Sequence, residues 1–191
     1  MRALALSLLL LVAACSAQPT RTSTYLLRAD SDPQSGPSVP AGDVALGKLQ
    51  IARYIDQPGL VLQTGAGEVH VARYHQWAEP LRASLEGLLQ AEISRQLGRD
   101  VRFQPDGPVG TRIDVIIDQL HGTADGEAVL VASWRLRRAA GEDEVHRFVG
   151  SEPLARDGYP ALVEAERQLL LRLAAAITAS VVASDGPEGE E

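Results

Sequence analysis

The chain has 191 residues and one cysteine, Cys15, so no intramolecular disulfide can brace it. Its apolar run near the start, Ala3 to Ala14, covers twelve positions. A membrane-spanning helix needs roughly 20. Basic residues are in deficit: 18 Lys and Arg against 25 Asp and Glu give a formal charge of −7. That balance lacks the basic face a nucleic-acid partner requires, and it disfavours electrostatic adhesion to an anionic bilayer. No Gly-x-x-x-x-Gly-Lys-Ser/Thr loop occurs, which excludes ATP hydrolysis by that route. Gly65-Ala66-Gly67 lacks the third glycine and the strand-to-helix context of a nucleotide fingerprint. A Gly-x-Ser-x-Gly nucleophile elbow is missing, and so is a His-x-x-x-His helical metal pair. His70 and His75 lie five apart in an extended region and would face opposite ways. Asp114 and Asp118 could share one strand face, where they read most simply as the solvent side of a half-buried strand. The chain reads as non-catalytic, with no metal and no cofactor.

What is present at the N-terminus is specific. Arg2, the apolar stretch and the small residues before Cys15 have the form of a secretory signal peptide spanning 1–14. Leu11-Val12-Ala13-Ala14-Cys15 resembles the bacterial lipobox, in which the cysteine is acylated and becomes the new N-terminus. Anchoring would then come from acyl chains, each buried CH₂ contributing about 0.8 kcal/mol. Residues 15–23 are small and polar, a tether rather than a folded element. A single domain is expected over 24–183, and the acidic stretch 184–191 is expected to be disordered.

Within the domain, Thr24 to Arg28 reads as a first strand and Asp30 to Gly42 as a Pro/Ser/Gly loop. Val44 to Ile55 alternates with Tyr54 among its inner-face candidates, and its phase change near Gly47 fits a β-bulge. Leu60–Thr64 and Glu68–Ala72 flank Gly65-Ala66-Gly67 as a hairpin with a three-residue turn. Leucine or isoleucine at 81, 85, 89, 93 and 97 predicts a helix from about Glu79, with Pro80 in its first turn and Gly98 as its stop. Ile113/Val115/Ile117 and Leu130/Ala132/Trp134/Leu136 alternate as strands, with Val145–Val149 as a third. A last helix, about Tyr159 to Val182, carries Leu162, Leu169, Leu173 and Ile177 on one face behind a candidate N-cap at Asp157. Strands, helix, strands, helix predicts an α+β fold: a two-layer sandwich with a mostly antiparallel sheet and two amphipathic helices on one face.

Two segments stand out: Ala52 to Val61, containing Tyr54, Asp56 and Pro58, and Tyr74 to Leu81, containing Trp77, Glu79 and Pro80. Trp77 would anchor the helix start to the sheet, while Arg53, Asp56 and Glu79 could pair around it. An exposed Tyr54/Trp77 pair would alternatively suit a partner surface. Ala-x-Tyr-Ile-Asp-x-Pro, then a glycine hairpin, then Trp-Ala-Glu-Pro-Leu opening a helix resembles the PqiC-type auxiliary lipoproteins of ABC-like transport systems. Tyr25 to Leu27 and Trp134 also sit where that family has similar features. The resemblance covers Thr24 to about Val182.

That resemblance implies a component of a lipid-trafficking system built around an MCE-domain protein that bridges the periplasm, with transport components in the inner membrane. The lipoprotein would stand at the periplasmic face of the outer membrane, held by Cys15, as docking point or exit collar, and could form a homo-oligomer. Ser16 behind the acylated cysteine is compatible with outer-membrane sorting. The other reading of the same features is a structural or assembly lipoprotein of the envelope with no lipid contact.

Overall fold

The computed structural model describes residues 21–29, 43–104, 107–139 and 141–184. The signal peptide 1–14, Cys15 with the first part of the tether (15–20), the 30–42 loop and the tail after Ser184 lie outside them.

Strands β1 (Ser23–Tyr25), β2 (Val44–Ile51), β3 (Gly59–Gly65) and β4 (Glu68–Trp77) precede helix α1 (Leu81–Leu97). Strands β5 (Arg102–Phe103), β6 (Thr111–Thr123), β7 (Glu127–Arg138) and β8 (Glu144–Pro153) follow, and helix α2 (Tyr159–Ser184) closes the described chain. β6 organises the sheet. Along one edge it pairs with β7 in a long antiparallel ladder, and β7 pairs with β8 in the same sense. The other edge is shared end to end: β2 runs parallel to residues 111–117, and β3 takes over at Leu62↔Gly122. β4 folds back on β3, and β1 and β5 add short parallel pairs at the margins.

The alternation expected from sequence places the core. Ile113, Val115 and Ile117 of β6 and Ala128, Leu130, Ala132, Trp134 and Leu136 of β7 are buried. Leu81, Leu85, Leu89 and Ile93 of α1 and Leu162, Leu169, Leu173 and Ile177 of α2 are buried with them. α2 packs on β7 and β8, α1 packs on β2, and the two helices touch each other. The fold is the expected α+β arrangement, with the long ladders antiparallel. Its parallel pairings went unforeseen because periodicity reports which face a residue takes, not which neighbour it pairs with.

Local expectations need correction in several places. β1 stops at Tyr25 instead of Arg28, and β8 runs beyond Val149 to Pro153. The hairpin turn has two residues, Ala66 and Gly67, with Gly65 and Glu68 still paired and Gly67 at φ +75°. α1 begins at Leu81, so Pro80 precedes the helix instead of standing in its first turn. Gly98 ends it at φ 65°, donating its N–H to the backbone oxygens of Arg95 and Ser94. At α2 the residue before the helix is Gly158, whose carbonyl accepts the N–H groups of Ala161 and Leu162; Asp157 stands one position further out.

The bulge near Gly47 is observed as a register shift between Leu46 and Leu49. The extended region ends at Ile51, however, not Ile55. After the Ala52 N–H donates to the Ile117 carbonyl, the chain leaves the edge of β6 for residues 53–58 and returns as β3. The return passes close to β4: a Cβ on Gly59 would lie 2.4 Å from the Ala72 carbonyl oxygen, a backbone atom with no room to yield. Gly59→Ala is therefore expected to cost roughly 1–3 kcal/mol in a thermal or denaturant melt. Gly122→Ala should cost less, since its nearest neighbour is a Leu62 methyl that can rotate.

Candidate functional site

The two segments singled out in the sequence meet in space. The excursion at residues 53–58 folds on itself: the Ile55 and Asp56 N–H groups donate to the Ala52 carbonyl, and the Gln57 side chain donates to the Tyr54 carbonyl. Ile55 plugs into the core. Pro58 then offers its carbonyl to the Trp77 N–H at 2.7 Å, joining the end of the excursion to the end of β4. Proline suits that position because its own missing N–H leaves no donor to satisfy.

Two ion pairs lock the start of α1. Arg82 reaches back to Asp56 at 2.9 Å and also donates to the Leu49 carbonyl, tying the helix to β2 and the excursion together. Glu79 holds Arg28 at 2.7 Å with one oxygen and accepts the Ser84 hydroxyl at 2.8 Å with the other. Pro80 offers no side-chain cap, and the Glu79–Ser84 bond adds to the Ser84 N–H to Pro80 carbonyl bond in fastening the first turn to the segment before it. The carboxylates predicted to pair around the helix start do so, but Arg82 and Arg28 are their partners; Arg53 is in neither pair. Both pairs are partly exposed, so each contributes at most about 1 kcal/mol.

Trp77 is only 7% exposed and belongs to the hydrophobic core. The exposed Tyr54/Trp77 pair suggested as a partner surface is therefore not formed. Tyr54 is half-buried against the same core, on the excursion that separates β2 from β3. Its hydroxyl lies 2.8 Å from His121 Nδ1, and His121 Nε2 lies 3.3 Å from Gln63 Oε1. Burial lowers the His121 pKa and so keeps the ring neutral, while burial raises that of the Tyr54 phenol. A neutral ring with its proton on Nε2 satisfies the whole chain: Tyr54 donates to Nδ1, and Nε2–H donates to Gln63. This hydrogen-bonded seam closes the gap between β2 and β3. A second ring cluster sits where β1, β4 and α2 meet. There His75 stacks on Tyr159 at 4.0 Å and on Tyr25 at 5.9 Å, with the Tyr25 hydroxyl 2.8 Å from its Nδ1.

Asp114 accepts the Lys48 N–H and pairs with Arg137 at 3.0 Å, whereas Asp118 falls at a register shift in β6 between Ile117 and Gln119. The two carboxylates thus have different settings and form no acid/base pair. Among the described residues, no group of three or more His, Cys, Asp or Glu could hold a metal ion, and no helix is long and apolar enough to cross a membrane. Among the described residues, one titratable group is strongly perturbed. Glu166 on α2 is buried, its Oε2 has no hydrogen-bond partner, and burial pushes its carboxyl up to about 8. It stands at the helical period of Leu162, Leu169 and Leu173, the one sequence signal that could have found it. Sealed inside the protein, it meets no substrate.

The geometry is that of a scaffold whose two most distinctive segments brace one junction. A family model for the ABC-type transport auxiliary lipoprotein component matches residues 25–178. The chain belongs to this family. The family is one of transport auxiliary lipoproteins, which is not an enzyme class. The intermembrane transport lipoproteins PqiC of Escherichia coli K12 and Shigella flexneri are each 28% identical to this chain over 118 residues. Those alignments cover 61% of this auxiliary lipoprotein and 63% of the length of each PqiC. Two crystal structures share the fold. An uncharacterized protein superimposes with TM-score 0.71 at 23% identity, over 84% of this chain and 99% of that one. A Xanthomonas campestris protein of the DUF330 family model gives 0.63 at 15% identity, over 86% and 98%.

Proposed function

We propose that this auxiliary lipoprotein is anchored to the outer membrane, faces the periplasm, and docks an MCE-domain partner that reaches it from the inner-membrane transport components. In that position it supports phospholipid traffic between the membranes and the integrity of the envelope. The observation that carries this reading is the family match across residues 25–178, which takes in both segments of the braced junction. The PqiC relatives, named for intermembrane transport, favour the same assignment. The signal peptide 1–14 is removed, Cys15 carries the acyl chains, residues 15–23 give the tether, 24–183 form one folded domain, and 184–191 form an acidic tail. Copies on the membrane could assemble as a homo-oligomer around the docked partner.

A labelling experiment tests the anchor on which all of this depends. Cys15→Ser should abolish incorporation of radiolabelled palmitate and release the protein from the outer-membrane fraction. Unchanged labelling would contradict the lipobox assignment, and native protein recovered in the inner-membrane fraction would contradict the sorting.

A further inference from the structure

The helices cover one face of the sheet, and the opposite face of β6, β7 and β8 carries a trough. One part, about 320 Å³, is lined by Lys48, Asp114, Ile116, Arg135, Arg137 and Val145, among others. A second part, about 410 Å³, shares Lys48, Asp114 and Arg137 with it and adds Arg112, so the two are continuous. Four cations thus line one depression in a chain whose formal charge is −7. The carboxylates beside them are fewer. Asp114 is occupied by Arg137 at 3.0 Å and by the Lys48 N–H, and Asp143 meets Arg135 only at 3.7 Å, with both side chains about half exposed. Among the described residues, neither Arg112 nor the Lys48 ammonium has an ion-pair partner. Beside the cations lie apolar side chains that a water-facing strand does not need: Ile116 is 41% exposed and Val145 66%.

Cations beside an apolar floor are complementary to an anionic group attached to hydrocarbon. Guanidinium groups match phosphate oxygens in bidentate geometry, and the exposed Ile116 and Val145 would cover the first carbons of the attached chain. The volume is within the range of sites for small molecules. We propose that this trough binds the phosphate headgroup of a single anionic glycerophospholipid. Arg112, Arg135 and Lys48 hold the phosphate, and Ile116 and Val145 hold the glycerol end of the acyl chains. The net charge of the chain still opposes adhesion to an anionic bilayer as a surface, so the site takes one lipid at a time. The proposal rests on the lipid-transport reading, since an acyl anchor would hold the trough within tether reach of such lipids and raise their effective concentration.

The test uses the full-length lipidated protein in neutral detergent, titrated calorimetrically with dihexanoylphosphatidylglycerol below its micelle concentration. Dihexanoylphosphatidylcholine and inorganic phosphate are titrated in parallel. The anionic lipid should bind at least tenfold more tightly than either comparison. The double variant Arg112→Gln/Arg135→Gln should lose at least tenfold in affinity, and Val145→Ser several-fold, with unchanged melting temperatures. Equal affinity for the two lipids, or an unaffected double variant, would overturn the proposal. Phosphate binding as tightly as the lipid would reduce the trough to a bare anion site and overturn its apolar half. Recovery of the transport partner by the same variants separates this test from the docking reading. If the double variant loses the partner while its lipid affinity is unchanged, the trough is an acidic protein's docking surface and the lipid site is refuted.

Discussion

Replacing Trp77 with alanine is expected to remove about 3–5 kcal/mol of stability, the usual cost of deleting a large aromatic from a packed core. In a domain of this size that lowers the melting temperature by on the order of 10 °C. The magnitude follows from position. Trp77 ends β4 and stands opposite Tyr25 of β1, its N–H holds the Pro58 carbonyl, and its ring is buried where the sheet gives way to α1. A truncated side chain leaves a void at the point where the end of β4, the excursion and β1 converge. Trp77→Phe should recover most of the loss. A folded Trp77→Ala variant with an unchanged melt and lost partner recovery would instead place the ring on an interface.

Glu166 gives the second large effect, and its sign depends on pH. The folded carboxyl is raised to about 8 by burial, against 4.5 in the unfolded chain. Between those values the unfolded chain releases a proton that the folded protein keeps. The folded state then binds more protons, so stability falls as pH rises. The contribution is fully present below about pH 4.5 and is lost progressively up to about pH 8, above which it levels off. Glu166→Gln removes this titration. The variant should therefore gain stability relative to the native protein as the buffer moves from pH 5 to pH 8, by on the order of 3 kcal/mol. Denaturant melts of both proteins at the two pH values measure it. Parallel pH profiles would mean that Glu166 is ionised in the fold and carries a partner.

These effects also show which parts of the molecule could be read from the sequence. The leucine period of α1, the stripe of α2 and the alternation in β6 and β7 report burial directly, because each follows from the geometry of one element. The excursion at residues 53–58 is different. Ile55 keeps the odd-numbered phase of Leu49 and Ile51, so the alternation runs on past Ala52, where the chain leaves β6; the cause lies in the pairing of β3 further along the same edge. Partners across long separations were equally hidden: Arg28 for Glu79, Arg82 for Asp56 and His121 for Tyr54. The types of residue at the junction were legible, but who holds whom was set by topology. The trough was invisible for the same reason, as Lys48, Arg112 and Arg135 come from three strands whose order the sequence does not state.

The central claim is that an acyl-anchored domain docks a transport partner, and one measurement tests it most directly. The native lipidated protein is crosslinked in its own membranes and purified, and the co-purified proteins are identified by mass spectrometry. The account predicts recovery of an MCE-domain protein, with loss of that recovery when Cys15→Ser removes the anchor. Recovery of only cell-wall or general envelope proteins, under conditions that preserve a known membrane-bridging complex, would contradict it and leave a structural lipoprotein in its place.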